Sequence, residues 1–257
     1  MQKLKWRYAD FLFNLKLLQI KSVFTYYYAL VVRKKIINIR IKKIKTPFFI
    51  RVNNGVDRRV LEYVFEKKYH LPPKEYLLQK KSIILDLGSN IGCTIVDFKK
   101  RFPNSKVYGY EMNLENFRIA HLNVKELEGV YIYNKAIWIN NGIAKYNLAN
   151  SSDAHSIGND VENNANSVLV ECLTIQKVLT DNFIEKVDFL KIDIEGAENK
   201  IFKESDLSWL NNVGSLNIEF HNINKTQLLD YLKILENFGF SAYVSPIHWL
   251  SILAYRK

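Results

Sequence analysis

The stretch ILDLGSNIGCT (residues 84–94) runs an apolar strand into a turn built on Gly88, Asn90 and Gly92. Glycine has no Cβ and tolerates positive φ, so such a turn lets a ligand and the following helix approach the backbone closely. In a doubly wound sheet, ligands sit beyond the carboxyl ends of the strands, beside the first strand. Two phosphate-binding turns fit poorly here. A Walker turn ends in Gly-Lys-Ser/Thr, whereas this one reads Ile91-Gly92-Cys93-Thr94 without a lysine. A dinucleotide turn reads G-x-G-x-x-G, and Asn90 stands where its second glycine would admit a pyrophosphate.

Outward from this turn, short apolar runs alternate with helical patterns. Strands are expected at 82–87, 106–111, 130–135, 168–173, 187–193 and 215–220, with helices at 91–101, 113–126, 196–204 and 224–238. Two closing strands near 240–244 and 249–255 read as an antiparallel hairpin on the sheet's edge. The fold class is therefore α/β, Rossmann-like, with a mostly parallel sheet covered by helices on both faces. Residues 150–167 are polar and rich in Asn and Ser, the composition of a long loop of the kind that often serves as a lid.

Ahead of this core, which starts at about residue 80, two regions are distinguished. Residues 48–79 read as a lead-in to the main domain: a strand, a turn at Asn53-Asn54-Gly55, a helix over 56–69, and a stop at Leu71-Pro72-Pro73. Residues 1–47 form a basic, aromatic segment, helical over 1–35 and strand-like from 36. Residues 1–50 hold 12 of the 37 Lys/Arg and one of the 26 Asp/Glu, so the formal charge of +11 belongs to this segment. Two readings of the helix stand side by side. It either lies on an anionic membrane surface or packs on its own domain with its charges solvated. The neutral remainder of the chain argues against a nucleic-acid groove. The stretch 11–32 is interrupted by Asn14, Lys16, Gln19 and Lys21, too often for a membrane span, and it lacks a signal-peptide cleavage site. Two cysteines, Cys93 and Cys172, form no metal cluster and suit a reducing compartment. A cytoplasmic protein, in peripheral contact with membrane at most, is expected.

A second strand, KVYGYEMN, ends at Glu111, about 20 residues past the turn, where an acid accepts hydrogen bonds from both ribose hydroxyls. A ribose acid combined with a glycine turn lacking phosphate features points to S-adenosylmethionine. In order, LDLGSNIG, VYGYEMNLENFRIAHLN, LTIQKVL…VDFLKIDIEGAE and NIEFH resemble the signature blocks of the FkbM family of S-adenosylmethionine-dependent methyltransferases, over about residues 48–222. KIDIEGAE (191–198) is the most specific block. The resemblance implies that Asp86, Gly88, Ser89, Asn90 and Gly92 wrap the methionine part of the cofactor. It implies that Glu111 holds the ribose with Met112 nearby, and that Asn134-Lys135-Ala136 lines the adenine. The Ile137-Trp138 that follows departs from the small residue often found there. Asp153, in the SSD of 151–153, would close over the site.

Methyl transfer is an in-line displacement at a sulfonium, so holding donor and acceptor in attack geometry supplies most of the acceleration. A hydroxyl acceptor must also lose a proton. Asp193 ends one strand with Glu195 two residues on; Glu219 and His221 end another. Asp193 is the first candidate for orienting the cofactor's ammonium or taking the proton, and His221 for general base. Glu195 and Glu219 come second, Glu195 reading equally well as a helix cap. These four side chains could ligate a divalent cation, but nothing in their spacing selects one, and no metal is expected. Of the remaining histidines only His155, in the expected lid, attracts attention.

The acceptor class follows from the resemblance, which implies a hydroxyl of a sugar or glycan. Two other readings remain. A nucleic-acid methyltransferase would explain the basic leader, but the chain lacks the Asn/Asp-Pro-Pro-Tyr/Phe loop of amino-methylating enzymes. A non-catalytic membrane-docking module would not need the intact DLGSNIG turn.

Overall fold

The computed structural model describes residues 2–52, 55–147 and 167–257. Residues 148–166, and with them Asp153, His155 and nearly all of the expected lid, lie outside the described residues, as do Asn53 and Asn54 of the expected turn.

A seven-stranded sheet organises the chain. β3 (Ile83–Leu87) lies at its centre, between β4 (Lys106–Tyr110) and β9 (Phe189–Ile192). β5 (Val130–Tyr133) follows β4 on one side; β10 (Ser215–Glu219) follows β9 on the other. These five strands are parallel. β12 (Ser251–Tyr255) then pairs antiparallel with β10, and β11 (Ser241–Val244) takes the edge. The closing hairpin is where the sequence placed it, with the later strand on the inside. SILAY is buried over Ser251–Ala254, whereas SAYV is only half-buried throughout, and the more apolar strand takes the covered position.

Strand side chains alternate between the two faces. Leu85, Leu87, Leu190, Ile192, Leu216 and Ile218 enter one hydrophobic cluster, and Ile84, Val107 and Phe189 enter the other. The first cluster is closed by α6 (Ile175–Asp181), α7 (Ala197–Glu204) and α8 (Lys225–Asn237). A small three-stranded sheet also packs there: β6 (Ala136–Ile137), β8 (Ser167–Leu173) and β7 (Gly142–Asn147). The strand read at 168–173 thus exists but belongs to this second sheet. The short helix α6, capped by Thr174, is absent from the reading of the sequence because seven residues carry too few turns to show a period.

The second cluster is built on α4 (Cys93–Arg101) and α5 (Leu114–Val124), together with the N-terminal region. The expected 1–35 helix is two helices, α1 (Gln2–Leu17) and α2 (Ile20–Val31), broken where Gln19 N–H donates to the Arg40 carbonyl. They precede the hairpin β1 (Ile36–Ile39) and β2 (Phe48–Arg51). Leu18, Val23, Tyr26 and Ile39 share a cluster with Ile84, Ile95 and Phe98. The lead-in helix is α3 (Val56–Glu62), which widens into a π-helical turn over 63–67 before Lys68 turns left-handed at φ 57°.

Candidate active site

The turn after β3 is fixed mainly by backbone contacts. Gly88 and Ser89 N–H both donate to the Tyr110 carbonyl at the tip of β4, at 2.9 and 3.0 Å. Ser89 Oγ donates to the Asp86 carbonyl. Asn90 is left-handed at φ 48°, and its side chain accepts from Ile91 N–H. The two glycines have reasons of their own. A Cβ on Gly88 would lie 1.7 Å from the Asp193 carbonyl oxygen, and one on Gly92 3.2 to 3.4 Å from Val124 and Ala120 of α5. Their bareness brings protein backbone together. The sequence alone points to the approach of a ligand and of the following helix; the contacts seen are to the Asp193 carbonyl and to α5.

Glu111, just beyond β4, turns back into this bend. Its Oε2 accepts Asn90 N–H and its Oε1 accepts Asn113 N–H, both at 2.8 Å. Burial pushes its carboxyl above the usual range, and the N–H donors oppose the shift. Met112 is partly buried against the first cluster. Asn134 Nδ2 bridges the carbonyls of Glu111 and Met112, and Ala136 is a buried residue of β6. Five of the cofactor candidates, Asp86, Gly88, Ser89, Asn90 and Glu111, therefore surround one bend. Gly92 faces α5, Ala136 sits in the neighbouring small sheet, and Asp153 lies outside the described residues.

Beneath the bend is a residue that reading by position overlooked. Lys191 of β9 is 2% exposed, with Nζ 3.4 Å from both Asp86 Oδ1 and Asp193 Oδ2, and it donates to the Gly88 carbonyl at 3.2 Å. Burial alone would lower its pKa; the carboxylates of Asp193 and Asp86 raise it above the ordinary lysine value. Thr94 Oγ1 donates to the other oxygen of Asp86. Tyr69, from the lead-in, donates its hydroxyl to Asp193 Oδ2 at 3.2 Å. Asn217 of β10 holds that segment in place through the carbonyls of Tyr69 and Leu71.

At the tips of β9 and β10 the catalytic candidates meet. His221 Nε2 lies 3.5 Å from Glu195, 3.6 Å from Glu219 and 3.8 Å from Asp193, while Nδ1 is 3.3 Å from Glu198. The capping contacts offered to Glu195 go to a different side chain. It is Glu198, fully buried in the first turn of α7, that accepts Ile194 and Gly196 N–H at 2.8 Å each. Glu195, left-handed at φ 56°, leans toward His221 instead. Four carboxylates crowd one imidazole, and three groups of the cluster shift. Burial and then Asp193 push Glu195 up to about 7 and Glu219 up to about 8. Burial would lower His221, but Glu198, Asp193 and Glu195 raise it to about 9. His248, read as isolated, lies with Nδ1 3.8 Å from Glu219. Asp193, Glu219 and His221 each offer one ligand atom, all within 4.8 Å of one another, a donor set suited to a divalent cation.

A central parallel sheet of this strand order, with an antiparallel strand set beside β10, a glycine bend at the switch point and an acid at the next strand tip, defines a class I Rossmann-like methyltransferase. The Methyltransferase FkbM domain model matches residues 86–242, so the chain belongs to the FkbM methyltransferase family, as the signature blocks led one to expect. It is an S-adenosylmethionine-dependent methyltransferase. No curated protein matches it. Solved structures that it resembles include a precorrin-6y C5,15-methyltransferase from Geobacter metallireducens GS-15. That likeness is 12% identical and covers 77% of this chain and 88% of the other, with a TM-score of 0.44. A second is M. capricolum TrmK in complex with S-adenosyl-homocysteine (14% identical, 70% and 64% covered, TM-score 0.39). A third is the METTL16 MTase domain (11%, 80% and 84%, 0.41).

Proposed function

We propose that this chain transfers a methyl group from S-adenosylmethionine to a hydroxyl of a sugar or glycan. The observation that carries the reading is the adjacency of a ribose-type acid, Glu111, aimed into the bend at 88–92, and a proton-accepting cluster at the neighbouring strand tips. The donor set suits an adenosyl sulfonium. Glu111 answers a diol, and Asp86 Oδ1 is buried without a hydrogen-bond partner, facing Lys191. Gly88, Ser89, Asn90 and Asp193 border the place where the amino-acid end would sit, Met112 and Ala136 lie on the adenine side, and Gly92 serves by letting α5 close behind the bend. When bound, the cofactor supplies an electrophilic methyl group on sulfur.

The chain's own residues supply position and a proton sink. Glu198, Asp193 and Glu195 push His221 up to about 9, so at neutral pH it is poised to orient the acceptor and not to deprotonate it. Glu195 is the group matched to the task. It is about half exposed at the mouth of the site, and a carboxylate with a pKa near the working pH is the most effective general base. Asp193, locked by Lys191 and Tyr69, keeps its place as the positioning carboxylate. The general-base role thereby passes from His221, its first candidate, to Glu195, a second choice. In the cell the reading places the enzyme in the cytoplasm.

Two measurements test it. Calorimetry on the full chain is expected to show S-adenosylmethionine and S-adenosylhomocysteine binding that weakens in Glu111→Gln. Mass spectrometry of glycans from cells with and without the protein is expected to show a species one methylene heavier only in its presence. Absence of cofactor affinity in the wild type would remove the enzymatic reading altogether.

A further inference from the structure

Helix α2 has two apolar faces, and only one of them is covered. Its inner face, Ser22, Val23, Tyr26 and Ala29, is buried on the domain. The outer face is apolar as well. Ile20, Phe24, Tyr28 and Val31 follow one another at helical spacing and are 57, 70, 68 and 81% exposed. At 100° per residue these four fall within an arc of roughly 80°, with Lys21 and Val32 directly beside them. Phe11 and Leu12 of α1 add further exposed apolar surface. A helix apolar on both sides is a buried helix in an ordinary domain, and a contiguous exposed apolar patch marks a surface that something covers.

The charge around the patch says what that is. Lys21, Arg33, Lys34, Lys35, Lys43 and Lys45 are exposed and carry no ion pair among the described residues. The only acid among residues 1–50, Asp10, is taken up by Arg58 at 2.9 Å. An apolar stripe bordered by unneutralised cations complements an anionic lipid bilayer, with aliphatic and aromatic side chains entering the headgroup boundary and lysines meeting the headgroups. A protein partner or a second copy of this chain would present the same cations to a surface with no reason to be anionic. Among the described residues no helix is long and apolar enough to cross a membrane, so the contact is one of lying on it.

We propose that the outer face of α2, with its flanking basic residues, docks the protein onto anionic membrane. The proposal does not depend on the identity of the methyl acceptor. It is tested by co-sedimentation of the full chain with vesicles of phosphatidylcholine alone or mixed with phosphatidylglycerol. The expected result is binding to the mixed vesicles only, reversed when salt rises from about 0.1 M to about 1 M, because the Debye length falls from about 10 Å to about 3 Å. The double variant Phe24→Glu/Val31→Glu is expected to lose roughly tenfold or more in partitioning while its melting temperature and its cofactor affinity stay as in the wild type, since both side chains point away from the core. Failure to bind the mixed vesicles overturns the proposal. So does equal binding to both vesicle types. A concentration-dependent dimer abolished by the same double variant, without vesicle binding, would assign the face to a second copy instead.

Discussion

Lys191 sits where two carboxylates would otherwise face each other across the base of the site. Removing one partner of a buried ion pair costs about 3–5 kcal/mol because the other charge is left unpaired. Lys191→Met leaves Asp86 without its cation, Asp193 with only His221, at 3.8 Å, as a cation among the described residues, and the Gly88 carbonyl without its donor, so a loss of roughly 10 °C in melting temperature is expected, at about 2–4 °C per kcal/mol for a chain of this size. Scanning calorimetry checks it, and an unchanged transition would mean that the pair is already relaxed by solvent. Gly88→Ala fails for a different reason. The φ of 85° is strained for any side chain, and the new Cβ would overlap the Asp193 carbonyl oxygen. A cost of about 3 kcal/mol or more is expected, with loss of cofactor binding beyond what the stability change explains. Glu111→Gln keeps the shape but weakens the acceptor. If Glu111 holds the ribose as proposed above, the charge-assisted hydrogen bond lost from the diol is worth about 1.5–3 kcal/mol, or roughly ten- to a hundredfold in Kd, readable by calorimetry.

At the scale of the elements, the tips of β9, β10 and α7 hold more protons than the unfolded chain does. His221 is raised from 6.5 to about 9, Glu219 from 4.5 to about 8, and Glu195 from 4.5 to about 7. His221 contributes stability that is complete below 6.5 and is lost as pH rises through about 9; the two raised carboxyls act in the same direction, since ionising them inside the cluster is unfavourable. The melting temperature is therefore expected to fall from pH 4.5, through the two carboxyls, to about pH 9, through His221, and Glu219→Gln to remove the part of the fall that Glu219 contributes between 4.5 and about 8. A flat wild-type profile over the same window would show that the carboxylates do not repel as their spacing implies. This cluster also marks the limit of what a sequence discloses. Asp193, Glu195, Glu219 and His221 were legible because each ends a strand pattern, and strand tips of a parallel sheet converge. Glu198 and Lys191 were visible in the same KIDIEGAE block yet unreadable. The role of Glu198 depends on α7 starting just after Gly196, and that of Lys191 on β9 lying beside β3. Tyr69 is farther still from prediction, because 124 residues separate it from Asp193 and only the closed sheet joins them. The short elements β6 and α6 escaped for want of enough residues to display a period.

On the scale of the whole molecule, the N-terminal region joins two roles that the sequence presents as alternatives: packing on the domain, which the structure shows, and the membrane docking proposed above. One face of α2 completes the core and the other carries the exposed stripe, so packing on the domain and meeting a membrane are compatible. A consequence is that the region cannot be removed to test its surface role. Deleting residues 1–35 takes Phe13, Leu18, Val23 and Tyr26 out of the cluster that also holds Ile84, Ile95 and Phe98. Each such side chain contributes about 1.5–3 kcal/mol by burial. Four of them approach the whole stability of an ordinary domain, about 5–15 kcal/mol. The ion pair of Asp10 with Arg58 and the hydrogen bond from Arg40 N–H to Ser22 Oγ are lost as well, leaving Arg58 with Glu62 alone and the β1 end of the hairpin uncovered. The truncated chain is expected to show no cooperative melting by circular dichroism and to bind no cofactor, although every residue of the bend and of the strand-tip cluster is retained. A sharp transition at the wild-type temperature would mean that α1 and α2 rest on a core complete without them, and the region would then serve the membrane alone.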